Sequence, residues 1–481
     1  MVVTRANRTK TERCCFVDRP LRLKKNQNLL EAATVCLEHH NSAQNDEAVA
    51  TETFVLTSPL YYVNAPPHMG SAYTTIAADA ISRFQRLLGK KVIFVTGTDE
   101  HGEKIATAAA ARGSSPSLQH VLGNSLGYLV LLLFIGSTRN LIVSLESDSP
   151  FALLFLFEVQ SWIRSGLKDF SISRASVDWG IPIPNDNKQT IYVWFDALLG
   201  YISALSEDKE QPNLQSAVSS GWPASLHLIG KDILRFHAVY WPAMLMSAGL
   251  GLPKMVFGHG FLTKDGTKMG KSLGNTLEPN ELVQKFGSMQ SGNLLNRTLG
   301  LLKRNCQSTL VVDSFIAAEG NALKDTVEKL VEKARVHYEN LSLSLACEAI
   351  LEIGNAGNVY MDECAPWSLF KQGGAASEAA AKDLVIILEA MRIIAIALSP
   401  VAPSLCWRIY SQLGYSKDHF NTATWSDTKW GGLKGGQVMA QPKPVFARIE
   451  NRTETEDGGA ASKKFVKNKE KKRKSQVVAE A

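Results

Sequence analysis

The residues best suited to chemistry in this 481-residue chain stand in two short stretches far apart in the sequence. The first is "APPHMGSAY" (65–73), where His68 and Gly70 follow an apolar run and open a helix-like one. A helix N-terminus attracts anions, because its free N–H groups and its axial dipole both favour negative charge. Glycine lets a ligand approach the backbone closely, and an imidazole can donate to a phosphate oxygen. Alone, this pattern equally describes an ordinary loop histidine. The second stretch is "FLTKDGTKMGKSLGN" (261–275), with Lys268 and Lys271 three residues apart in a glycine-rich loop downstream of "FGHG". Two ammonium groups on such a loop can close over a triphosphate and stabilise charge developing on a leaving pyrophosphate. Alone, a lysine-rich loop is usually just solvated. Both stretches together, each at a strand end of one sheet, point to a nucleotide.

The elements that must position these residues follow from the hydrophobic pattern. "TFVLTSPLYYV" (53–63) reads as a buried strand. Ile76, Ala80, Phe84, Leu87 and Leu88 have helical spacing over 71–88, Gly89 ends that helix, and "KVIFVTGTDEHG" is a second buried strand with a polar tip. Strand, helix and strand make a βαβ unit. "QTIYVWFDALLGYISAL", "SLHLIGKDILRFHAVYWPAMLMSAG" and "KMVFGHGFL" each read as a short apolar strand with a polar carboxyl tip. The expectation is an α/β fold built on a doubly wound parallel, Rossmann-type sheet, with ligands outside the carboxyl ends at Asn64, "GTDEHG", "GKD" and "GHG". From about residue 292 the period becomes helical throughout, which predicts a separate all-α bundle.

Composition fits a soluble globular protein, with 45% hydrophobic and 20% charged residues. The net charge of +6 is concentrated at the two ends: "KKFVKNKEKKRK" (463–474) and the first thirty residues are strongly basic, and the middle is mildly acidic. The basic tail reads either as a contact for RNA backbone or as a solvated or nuclear-type charge run. The seven cysteines, at 14, 15, 36, 306, 347, 364 and 406, show no C-x-x-C pattern, which argues for a reducing compartment and against structural zinc. The Arg-rich, acid-poor start reads as a transit peptide for mitochondrion or chloroplast, with an untargeted extension of a cytoplasmic protein as the alternative. Residues 118–157 hold two apolar runs, 128–135 and 151–157, each shorter than the roughly eighteen residues of a membrane span. No membrane partner is expected.

"HMGS" and "KMGKS" resemble the HIGH and KMSKS signatures of class I aminoacyl-tRNA synthetases. "TSPLYYVNAPPHMGSAY", "VTGTDEHGEKI", "QTIYVWFDALLGYI", "LIGKDILRFHAVYWPAML" and "HGFLTKDGTKMGKSLGN" resemble the methionyl-tRNA synthetases of bacterial and organellar type, and "NLLNR" and "DECAPW" resemble their anticodon-binding domain. The likeness covers roughly 54–117 and 158–450; Ser71 replaces the second signature histidine and Gly270 the signature serine. It implies a methionine–tRNA ligase whose partners are ATP with Mg²⁺, methionine and tRNA(Met), with no zinc and an unknown oligomeric state. His68, Gly70, Lys268 and Lys271 would be catalytic. These four, with Ser71, Gly230, Asp232, His259 and Ser272, would bind ATP. Asp99 would pair with the methionine ammonium, and Leu60, Tyr62, Trp194, Leu198, Tyr201, Ile233, His237 and Trp241 would line the thioether pocket. Each of these aromatics could equally be core by spacing alone. Asn293, Arg297 and Trp367 would read the anticodon, a base stacking on the ring while amide and guanidinium bond base edges.

The expected organisation is a 1–52 extension, a first catalytic half at 53–117, an anomalous apolar segment at 118–157, a second catalytic half at 158–291, the helical domain at 292–450 and a basic disordered tail at 451–481. Residues 118–157 stand where the family carries its connective-peptide insertion, and "KFGSMQSGNLLNR" (285–297) omits the stem-contact elements. These two breaks predict a shortened, alternatively spliced or mis-assembled form with weak or absent aminoacylation. A catalytically silent tRNA-binding form and a small-molecule nucleotidylyltransferase are the alternatives, the latter because such enzymes also carry H-x-G-H in a similar sheet.

Overall fold

The computed structural model describes residues 52–62, 69–99, 101–117, 151–206, 213–264, 267–268 and 292–445, with the backbone alone at Ser71, 151–157, Lys264, Lys268 and Gly292. β1 (Thr53–Tyr62) is followed by α1 (Met69–Leu87) and β2 (Lys91–Asp99), which lies parallel to β1 from Thr53 opposite Lys91 to Tyr62 opposite Asp99. The register slips between Thr57 and Leu60, where Pro59 has no N–H for the ladder. α1 turns Ala78, Ile81 and Phe84 inward at helical spacing, all three buried.

The segment that follows departs from the expected parallel order. After α2 (Glu103–Ala111) and α3 (Phe151–Arg164), the strands β3 (Ser173–Arg174), β4 (Pro182–Ile183) and β5 (Asp186–Ile191) form a separate antiparallel sheet in the order β3-β5-β4. The "QTIYV" run therefore does not join the parallel sheet. Asn185, with φ of 68°, turns the chain straight back from β4 into β5, so the pair closes as a hairpin.

The chain re-enters the main sheet after α4 (Val193–Ser203) and α5 (Leu214–Ser219), as β6 (Leu226–Gly230); α6 (Trp241–Ser247) and β7 (Val256–His259) complete it. The parallel order β2-β1-β6-β7 has the chain moving outward from β1 to β2 on one side and from β6 to β7 on the other. A crevice therefore opens at the carboxyl ends of β1 and β6, the topological switch point where such sheets bind ligands. A short hairpin, β8 (Thr263–Lys264) and β9 (Thr267–Lys268), follows.

The helical part comprises α7 (Gly292–Cys306), α8 (Ser314–Ala317), α9 (Ala322–Glu339), α10 (Leu343–Cys364), α11 (Pro366–Gln372), α12 (Gly374–Ala397), α13 (Pro403–Gln412) and α14 (Lys417–Thr422). α12 is buried on every side from Leu384 to Ala397, a stretch that is apolar apart from Glu389 and Arg392. The bundle packs directly against α1 of the sheet part. Phe84 of α1 stacks on Tyr338 of α9 at 4.7 Å and meets Trp425 edge-on at 5.4 Å, inside one apolar core that runs from β1 and α1 into the helices. Among the described residues no helix is long and apolar enough to cross a membrane; the run 128–135 lies outside them.

Candidate active site and anticodon face

The strand tips at the switch point carry Leu60, Tyr62, Asp99, Gly230 and His259 of the expected residues. Asp99 ends β2 directly opposite Tyr62 and is 6% exposed. Burial pushes its carboxyl up to about 7, and nearby Asp196 adds to this against the opposing backbone N–H of His101, which reaches Asp99 Oδ1 at 3.3 Å. His101 Nδ1 meets Asp196 Oδ2 at 2.7 Å. Leu60 is wedged between two glycines: a Cβ at Gly97 would meet its Cδ2 at 3.0 Å, and one at Gly200 its Cδ1 at 3.2 Å. Those absent side chains let β1, β2 and α4 approach each other. Tyr62 carries the Lys104 ammonium 4.8 Å from its ring centre.

Two elements supply the residues expected to wall the thioether pocket. On α4, Trp194, Leu198 and Tyr201 follow i, i+4, i+7 spacing, and Leu198 and Tyr201 are buried. Ile233, His237 and Trp241 recur every fourth residue through a wide turn at Phe236–Tyr240, where the Trp241 N–H reaches back five residues to the Phe236 carbonyl. Such turns concentrate at functional sites. His237 Nδ1 lies 3.0 Å from the Ile233 carbonyl, so that nitrogen carries the hydrogen, and Nε2 accepts from the Tyr201 hydroxyl at 2.8 Å. Burial pushes His237 down to about 4 and the Tyr201 hydroxyl well above its usual range; Tyr61 and Asp99 are close enough to add to the latter. Trp241 is buried, and Trp194 is stacked face to face on Phe236 at 4.1 Å.

Among the residues expected to meet ATP, Gly70 lies in the first turn of α1, and Gly230 and His259 end β6 and β7 side by side. A Cβ on Gly230 would come within 2.6 Å of Asp232 Oδ1, so only glycine lets the exposed Asp232 fold back over the strand tip. His259 Nδ1 donates to the Gly260 carbonyl at 2.9 Å, and its Nε2 accepts from Thr74 of α1 at 2.7 Å. His68, Lys271 and Ser272, with the side chains of Ser71 and Lys268, lie outside the described residues.

On the helical part, Asn293 is exposed in the first turn of α7 and Arg297 follows one turn later. Arg297 donates to Asp362 at 2.9 Å, with its guanidinium 5.7 Å from the ring centre of Trp367, which is 37% exposed. Phe236, His227, Thr57, His101 and Asp196 escape the reading of the sequence. Two carry a signal there: His101 lies inside the polar tip "GTDEHG", and His227 is a polar residue inside the apolar run "SLHLIG". Among the described residues, no group of three or more His, Cys, Asp or Glu could hold a metal ion.

Residues 54–121 and 154–301 match the family model described as tRNA synthetases class I (M), and 313–465 match the anticodon binding domain of methionyl tRNA ligase. A Rossmann-type sheet with its site at the switch point, followed by a helical anticodon-binding domain, defines a class I aminoacyl-tRNA synthetase. The chain is 59% identical to the chloroplastic/mitochondrial methionine–tRNA ligase of Arabidopsis thaliana, over 87% of this chain and 86% of the relative. It is 39% identical to the methionine–tRNA ligase of a Nostoc species, over 83% of this chain and 98% of the relative. The structure of Mycobacterium tuberculosis methionyl-tRNA synthetase in complex with methionyl-adenylate superposes with a TM-score of 0.70 at 29% identity, covering 83% of this chain and 100% of that one. The chain belongs to the methionyl-tRNA synthetase family.

The alignment with the Arabidopsis relative spans 532 positions yet covers only 87% of the 481 residues here, so more than a hundred positions of the relative have no counterpart in this chain. The first family model likewise passes over 122–153.

Proposed function

We propose that this chain activates methionine with ATP and transfers the methionyl group to the 3′-terminal adenosine of tRNA(Met), serving protein synthesis in mitochondrion or chloroplast. The observation that carries this reading is a buried carboxylate, Asp99, beside a niche walled by Leu198, Tyr201, His237 and Trp241 at the switch point. A carboxylate next to polarizable rings suits an α-ammonium joined to a thioether chain. The organellar setting is supported by the chloroplastic/mitochondrial relative.

In the proposed reaction the methionine carboxylate attacks the α-phosphorus, the bond to the bridging oxygen breaks, and pyrophosphate leaves with its electron pair. The ribose hydroxyl of the tRNA then attacks the carbonyl carbon, and AMP departs. No side chain forms a covalent bond, so catalysis is positioning and charge stabilisation. Asp99 holds the ammonium, and Leu60, Tyr62, Trp194 and Ile233 complete the pocket. His68 and Gly70 meet the phosphates, with Ser71 next to them in the chain. Lys268, Lys271 and Ser272 hold the pyrophosphate end, and Gly230, Asp232 and His259 border the ribose and adenine. ATP would enter as its magnesium complex, which needs no dedicated protein cage. Asn293, Arg297 and Trp367 receive the anticodon bases.

Methionine-dependent exchange of pyrophosphate into ATP tests the reading, with leucine as the control substrate. Exchange with methionine and none with leucine is expected; no methionine-dependent exchange overturns it. Transfer to tRNA(Met) is expected to be weak, because stretches present in the relative have no counterpart here. Charging at the rate of a full-length relative would refute that part.

A further inference from the structure

We propose that His227 is a positioning residue for methionine selectivity, clamping the indole of Trp241 and backing the ring of Tyr201 from the strand behind the niche. This rests on the methionine reading above and deepens it.

His227 is the second residue of β6 and is fully buried. The indole of Trp241 points its N–H at His227 Nε2, at 3.2 Å. An indole nitrogen only donates, so that imidazole nitrogen must be bare. The ring hydrogen therefore sits on Nδ1, which donates to Thr57 Oγ1 on β1, the residue paired with His227 across the two strands. Both ring nitrogens are thus committed, one to the sheet and one to the wall of the niche. The imidazole also packs against Tyr201 at 4.8 Å and against His237 at 5.9 Å between ring centres, while Tyr201 makes its own bond to His237. Rigid strand backbone therefore sets where Trp241 and Tyr201 stand, without touching the ligand. Burial, with His237 adding to it, holds the His227 pKa well below its usual value, so the clamp stays neutral at working pH. An apolar replacement would fill the volume and leave a buried indole N–H with no acceptor, which costs more than the bond itself. The niche would then widen on its sulfur side while the phosphate side stays as it is.

Two conservative variants of the full chain separate the clamp from mere filling. His227→Gln can present an oxygen where Nε2 was and keep the indole bond. His227→Asn can present an N–H where Nδ1 was and keep only the Thr57 bond. Methionine binding measured by calorimetry should stay within about threefold of wild type in His227→Gln and weaken roughly tenfold in His227→Asn, with a smaller preference for methionine over norleucine. ATP affinity should be unchanged in both. Equal weakening in the two variants overturns the proposal. The Trp241 indole proton, followed by NMR, should exchange slowly in wild type and His227→Gln and fast in His227→Asn; an exchange rate indifferent to the variants also overturns it. Should neither variant fold, the nitrogen-15 spectrum of wild type decides: hydrogen on Nδ1 supports the clamp and hydrogen on Nε2 overturns it. A wild type that binds no methionine but shows the protected indole would sink the functional reading and leave the clamp standing.

Discussion

At the centre of the α/β part, His227 and His237 are buried neutral, each ring nitrogen committed to an uncharged partner. At the centre of the helical part, Glu389 and Arg392 are buried charged, one turn apart on α12, with Nη2 to Oε1 at 2.7 Å. The Glu389 carboxylate also accepts the backbone N–H groups of Gly431, Gly432 and Leu433, and Arg392 donates to the carbonyls of Asp427 and Lys429. The ion pair therefore fastens the 427–433 segment, next to Trp425, which meets Phe84 of α1. Burial alone would raise the Glu389 pKa, yet Arg392 and the loop N–H groups outweigh it and hold the carboxyl below its usual range. The contrast teaches that a buried neutral ring is satisfied by one partner at each nitrogen, whereas a buried charge pair needs several. A charge pair with every partner fixed is suited to holding and not to changing.

The sharpest way to break this contrast is to remove the charge pair. Glu389→Ala should lower unfolding free energy by about 3–5 kcal/mol, because it leaves the Arg392 guanidinium buried and unpaired. Denaturant titration reads this, and a loss under about 1 kcal/mol would mean that the pair holds nothing. The sign with pH follows from the lowered pKa. The contribution of Glu389 is complete above the unfolded carboxylate value and disappears as pH falls through the lower folded value. Wild type should therefore lose its advantage over Glu389→Ala only in acid.

Phe84→Ala comes next, at about 3–4 kcal/mol, since it opens a cavity between α1 and the helices. Its unfolding should split into two transitions, one for each part; a single cooperative transition would show that the parts are joined elsewhere.

On the α/β side, Asp99→Asn should weaken methionine binding by roughly thirtyfold, the worth of a charged hydrogen bond. In the wild type the ammonium needs the ionised carboxyl, whose pKa is raised to about 7. Affinity should therefore fall about tenfold per pH unit below that value and level off above it. The Asp99→Asn variant should show no such slope, and a slope that persists would assign the titration to another group.

The smallest stability effect is expected at Arg297, whose pair with Asp362 is largely solvent-facing. Arg297→Ala should shift stability by less than about 1 kcal/mol while weakening tRNA(Met) binding several-fold. A stability loss comparable to Glu389→Ala, with unchanged RNA binding, would return Arg297 to the bundle scaffold.

Parts of the molecule are legible without coordinates. β1, α1 and β2 follow from period and punctuation, and Asp99 and His259 from polar tips on apolar strands. The strand at "QTIYV" is misplaced by pattern alone, because an apolar run has the same look in a parallel sheet and in a hairpin. The ion pair is invisible: in "LVIILEAMRIIAIAL" the two charges look like exposed interruptions of an apolar helix, and only the returning 427–433 segment shows why they are buried.

The amino-acid order by itself determined the family and the α/β-then-helical plan, because those depend on local periodicity and on signature residues close together in the chain. Only the tertiary structure decided which imidazole nitrogen carries a hydrogen, which rings pack against one another and which buried charges are paired. Those properties belong to contacts such as Thr57 with His227 and Glu389 with Leu433, formed when distant segments meet in a space that water has left.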